Sequence, residues 1–115
     1  MSSNREKYQE LATLLEQLRC NISDPQVNVP DLRKGVSVLQ QVFQQQIVPL
    51  ADSNSRVQSY RTEISKQLRL LEIDVMFFQG SRQVSTAQGR LQTIGDRLTT
   101  LIQYCEAILQ QEGAE

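Results

Sequence analysis

The sequence predicts an all-α fold, an antiparallel up-down-up-down four-helix bundle built on a long hairpin of its third and fourth helices. Apolar residues recur at steps of three and four through nearly the whole chain, the spacing that lines one face of a helix. Only five Gly and three Pro occur in 115 residues, which leaves few sites for β-turns. Glutamine occupies 17 positions, yet the apolar spacing continues between them. These glutamines therefore read as uncharged helix formers on solvated faces rather than as a disordered tract. An apolar content of 39% supports one core and not two, so residues 1–115 are read as a single domain.

The first helix is expected over about 4–20. Ser3 and Glu6 have capping-box spacing, in which each side chain bonds the other's free amide. Tyr8, Leu11, Leu15 and Leu18 form its stripe, widened by Ala12 and Leu14. Residues 21–30 read as a loop, because Asp24 precedes Pro25 and Val29 precedes Pro30, and a residue before proline avoids helical backbone. The second helix is expected over 31–48, with Asp31 as N-cap and Leu32, Val36, Leu39, Phe43 and Ile47 as its stripe. Pro49 should end it.

Asp52 to Ser55 supply the next break. The third helix is expected over 56–79, with Val57, Tyr60, Ile64, Leu68, Leu71, Val75 and Phe78 on one side and Gly80 just past its end. The fourth is expected over 86–111, opened by a second capping-box spacing at Ser85 and Gln88. Its stripe of Ala87, Leu91, Ile94, Leu98, Leu101, Cys105 and Ile108 alternates steps of four and three, a coiled-coil-like seam. At about 1.5 Å per residue, helices three and four span roughly 36 Å and the first two roughly 25 Å. One end of the hairpin is then free to project. The same topology puts Cys20 beside the third turn and Cys105 near the far end of the last helix. That separation exceeds the ~7 Å Cα limit for a disulfide, so both thiols are expected to be free.

Charge and composition narrow the function. There are 12 Lys+Arg against 13 Asp+Glu, a formal net charge of −1, without the basic excess that holds nucleic acid by its phosphates. The chain has no histidine, which removes the commonest general base and metal ligand, and two cysteines alone do not complete a zinc site. Glu72 and Asp74 lie two apart on one helix and point in different directions, while Glu6 and Glu10 share an exposed face. No phosphate-binding glycine loop and no nucleophile elbow occurs. The expectation is a chain that is no enzyme and takes no metal or cofactor. No apolar leader opens the sequence, and no run approaches the ~20 apolar residues of a membrane span. A cytoplasmic protein is therefore expected.

What remains is protein recognition. Residues 56–97 hold seven cations against four acids, a local balance of +3, and residues 98–115 hold three acids alone. Arg82 and Arg90 make one tip of the hairpin basic, with Arg61, Lys66 and Arg69 further down the third helix. The run Val75, Met76, Phe77, Phe78 circles its helix and cannot face one seam. Either neighbouring segments cover its far side, or it exposes a patch for a partner. Arg61, Lys66, Arg69, Met76, Phe77, Arg82 and Arg90 are thus the candidate contacts with an acidic partner surface. The competing reading is a homodimer whose seam is Leu70, Ile73 and Phe77 with Ile102 and Leu109, or an adaptor of another pathway.

Residues 62–83, TEISKQLRLLEIDVMFFQGSRQ, followed by 97–109, RLTTLIQYCEAIL, resemble the cyanobacterial family of heterocyst frequency control protein PatD. The likeness covers the hairpin, roughly half of the chain. The first two helices match that family only in pattern. The resemblance implies a cytoplasmic regulator that tunes how many cells of a filament become nitrogen-fixing heterocysts, with the division protein FtsZ as a partner. It assigns no role to any particular residue.

Overall fold

A computed structural model describes the backbone of residues 2–23, 27–51 and 54–113, and the side chains of 4–23, 27–51 and 54–111. Its helices are α1 (Ser2–Ile22), α2 (Val29–Val42), α3 (Ser55–Gln79) and α4 (Val84–Gly113). A five-residue π-helical turn, Phe43–Ile47, continues α2. Among the described residues there is no strand.

Three helix starts fall two residues before the sequence reading, those of α1, α2 and α4. α2 begins before Asp31, because Asn28 is the cap: its Oδ1 accepts the Asp31 amide at 2.8 Å. Pro30 then sits in the first turn, where a missing amide has no helical partner to lose. Asp31 is one turn inside and accepts from Asn28 Nδ2 at 2.9 Å. α4 begins at Val84, which puts Ser85 inside the helix. The Gln83 carbonyl, accepting the Ala87 amide at 2.9 Å, marks the true boundary. α1 begins at Ser2, which puts Ser3 inside the helix and not at the cap position expected of it; the Ser3 side chain, Asp24, Pro25 and Asp52 lie outside the described residues. α3 is capped by Asn54, whose Oδ1 accepts from the amides of Arg56 and Val57. It ends at Gly80 with right-handed backbone, φ −85°, so no left-handed glycine is needed there.

The π turn has a local cause. The Val48 amide donates to the Phe43 carbonyl at 2.9 Å, five residues back. Pro49 follows at once, and a proline ring clashes with the carbonyl four residues before it in an ordinary α-turn. The wider turn makes room.

Contacts between helices fix the topology. α1 runs antiparallel to α4: Arg5 donates to the Leu109 carbonyl at one end, and Arg19 to Thr99 Oγ1 at the other. α1 also opposes α2, through Lys7 and Gln46 at 2.5 Å. α2 opposes α3 through Gln40 and the Leu68 carbonyl, and α3 opposes α4 through Tyr60 and Tyr104, ring centroids 5.9 Å apart. Each helix thus packs against two neighbours in an up-down-up-down bundle measuring 49 × 21 × 21 Å. The 30 residues of α4, about 45 Å at helical rise, run nearly its full length.

The core collects the predicted stripes, among them Leu11, Leu15, Leu32, Leu39, Ile47, Ile64, Leu68, Leu71, Ile94, Leu98 and Ile108. Tyr60, Phe78 and Leu91 are half-buried at its margin. Ile102 and Leu109 are buried as well, which removes them from any seam open to a second copy. They lie on the side of α4 that meets α1, a pairing that puts a wider apolar stripe in contact than the coiled-coil steps alone contain. α1 runs out opposite Gly95, where Ile22 is the nearest neighbour. α2 reaches Gln79 at the end of α3, since Val29, Pro30 and Arg33 share one cleft with it. The projection expected of the hairpin is therefore confined to the first turns of α4, where Val84 is exposed. Both cysteines are free, Cys20 exposed and Cys105 buried.

Candidate interaction surface

The run 75–78 divides by direction. Val75 is buried and Phe78 half-buried, whereas Met76 is 65% and Phe77 53% exposed. Helical steps of 100° explain the split: Val75 and Phe78 lie on the arc that meets the core, and the two residues between them lie beyond it. Met76 turns toward α2, lining a groove with Arg33, Val36, Glu72 and Gln79. Phe77 turns toward α4, where the Arg90 guanidinium lies 4.6 Å from its ring centroid. Ile73, one turn earlier, is 40% exposed, and Leu70 is half-buried. Leu70, Ile73 and Phe77 thus continue one apolar stripe on the outer face of α3.

The cations fall into two groups. Arg61 is engaged by the fold itself: its guanidinium donates to the carbonyls of Ile47, Val48 and Leu50 at 2.8–2.9 Å. Those carbonyls are the free acceptors at the end of the α2 extension, so Arg61 ties that end to α3. Arg97, one of the seven cations counted between 56 and 97, is neutralised. Its Nε meets Asp74 Oδ2 at 2.5 Å and its Nη1 meets Gln67 Oε1 at 2.7 Å. Gln67 and Asp74 are seven apart, two turns on the same face of α3, and they receive one guanidinium from α4. The sequence shows no sign of this triad, because spacing along one helix does not reveal what the opposite helix presents.

Lys66, Arg69, Arg82 and Arg90 remain exposed. Lys66 has Glu63 at 3.4 Å across an open surface, a contact of small energetic weight. The other acids between 56 and 97 point elsewhere. Glu72 lines the α2 groove, Asp74 is buried against Arg97, and Asp96 accepts from Gln92. The structure therefore gathers Phe77 and Arg90 in direct contact, places Lys66 and Arg69 along the same helix, and sets Met76 on the other flank. Ile73 and Arg33 border these faces without having been counted among the candidate contacts. The antiparallel order of α2 and α3 is the signal that brings Arg33 beside Gln79.

Among the described residues no three acidic or thiol side chains converge as metal ligands would. Burial, then the charge of Glu106, pushes the Cys105 thiol from 9.0 up to about 12, so it stays protonated and unreactive near neutrality. No described helix is long and apolar enough to cross a membrane. No protein-family model, curated protein or solved structure matches the chain.

Proposed function

We propose that the protein is a non-catalytic cytoplasmic regulator that acts by binding another protein through its α3–α4 hairpin. One observation carries this reading: Ile73, Met76 and Phe77 are exposed on α3 beside three exposed arginines, Arg69 on the same helix, Arg82 in the connection after it and Arg90 on α4, with Glu72 on the side of the α2 groove. A surface both apolar and arginine-rich has the composition of recognition sites. The resemblance of residues 62–83 and 97–109 to the PatD family supports a role in setting heterocyst frequency, with FtsZ as the partner.

The test is capture of purified FtsZ by the intact protein and by an R69E/R82E/R90E variant. Retention by the first and loss by the second are expected. Equal retention would remove this surface from the interaction. Complementation in a filamentous cyanobacterium gives the second readout, since the variant should fail to restore heterocyst spacing. The homodimer reading predicts concentration-dependent light scattering, and it has already lost Ile102 and Leu109 to the core.

A further inference from the structure

We propose that the Leu70–Ile73–Phe77 stripe is the seat of an acidic amphipathic helix of another protein, lying along α3 over the α3–α4 face. The inference rests on the reading of the hairpin as a recognition element and specifies what it recognises.

Three observations lead to this occupant. The stripe has the steps i, i+3 and i+7 and extends over two turns, about 10 Å. A facing helix with apolar anchors at similar steps interdigitates with such a ridge. Phe77 is already placed, because Arg90 holds its face at 4.6 Å. A guanidinium stacked in this way keeps its N–H edge available to a carboxylate. Finally, cations predominate on the rim, with Glu63 facing Lys66 at its far end. Lys66 stands at one end, Arg69 on one flank and Arg90 on the other, with Arg82 in the connection at the tip. Of the nearby acids, Asp74 is paired with Arg97, Asp96 accepts from Gln92, Glu72 lines the groove on the α2 side, and Glu63 lies against Lys66 alone, which leaves Arg69, Arg82 and Arg90 without an acidic partner among the described residues.

The same charges oppose a second copy of this chain. A two-fold pairing of identical stripes brings the cations Arg69 and Arg90 of one copy close to the same cations of the other, and like charges across an interface are repulsive. A helix with glutamates flanking its apolar anchors meets every rim cation with an opposite charge.

The experiment uses the whole ¹⁵N-labelled protein and two synthetic helical peptides. Both carry leucines at i, i+3 and i+7; one is flanked by glutamates and the other by lysines. The glutamate peptide should shift the amide resonances of Leu70, Ile73, Phe77 and Arg90, saturably and less so with added salt. Phe77→Ala and Arg90→Glu should each weaken binding about ten-fold or more, with the far-ultraviolet spectrum of each variant unchanged. Equal response to both peptides, shifts confined to other helices, or no shift at all would overturn the proposal. A peptide-free dimer dissolved by Phe77→Asp would assign the stripe to a second copy and overturn it too. The two readings fail separately: FtsZ captured with these resonances unmoved defeats the seat, whereas peptide bound with FtsZ ignored defeats only that partner.

Discussion

The two cysteines share a chain but not an environment, and they should behave as different reagents. Cys20 is exposed at the end of α1, while Cys105 has no accessible surface. Brief treatment of the native protein with iodoacetamide at pH 8 should label Cys20 alone, read by peptide mass. Cys105 should label only after unfolding; native labelling there would contradict its burial. The raised value of Cys105 also ties stability to pH. A thiol that is harder to ionise folded than unfolded contributes stability in full below about 9 and loses it as pH climbs towards about 12. Replacing Cys105 by alanine should flatten the alkaline limb of a melting-temperature profile. Two helix glycines, Gly35 of α2 and Gly89 of α4, contrast in the same local way. A methyl group on Gly89 meets nothing within 4 Å, whereas one on Gly35 comes 2.8 Å from Leu18 Cδ1. Gly89→Ala should therefore stabilise by about 0.5–1 kcal/mol in urea titration, through helix propensity alone. Gly35→Ala should give less, because the buried Leu18 has to move.

Between elements, the Asp74–Arg97–Gln67 triad joins α3 to α4, and Arg61 joins α3 to the end of α2. The Asp74 and Arg97 side chains are 12% and 22% exposed, so the pair is shielded although not fully buried. Asp74→Ala should cost about 2–3 kcal/mol, since it leaves a guanidinium half-buried and unpaired. Asp74→Leu combined with Arg97→Met should recover most of that loss in a double-mutant cycle; strict additivity would show that the two do not interact. These connections also mark where sequence reasoning stops. The period of Leu11, Leu15 and Leu18, or of Ile94, Leu98 and Leu101, is a property of one helix and was legible, as was the bundle that follows from four such stripes. The caps at Asn28 and Gln83 were not, because Asp31 and Ser85 offered equally good chemistry a few residues away. The exposed stripe was half legible. Four consecutive apolar residues had to send two outward, but which two depends on where α2 and α4 lie around α3.

At the scale of the whole molecule, the bundle separates what holds it together from what it shows to solvent, and two substitutions on one helix should reveal the division. Leu71 has no exposed surface and Phe77 is 53% exposed, yet they lie six residues apart on α3. An aspartate at position 71 would place a charge in the core with no partner in reach, and a domain whose whole stability is about 5–15 kcal/mol does not absorb that. Phe77→Asp removes a half-covered ring and its stacking with Arg90, worth about 0.5–1 kcal/mol at an exposed site. The new carboxylate also stays in water beside that arginine. Circular dichroism should therefore show a folded Phe77→Asp protein with a cooperative melt within a few degrees of the parent, and little helix for Leu71→Asp. A Phe77→Asp protein that keeps its helices but no longer binds its partner would place the ring in recognition and not in folding. Loss of the cooperative melt would instead put Phe77 in the core and withdraw the hairpin face from recognition.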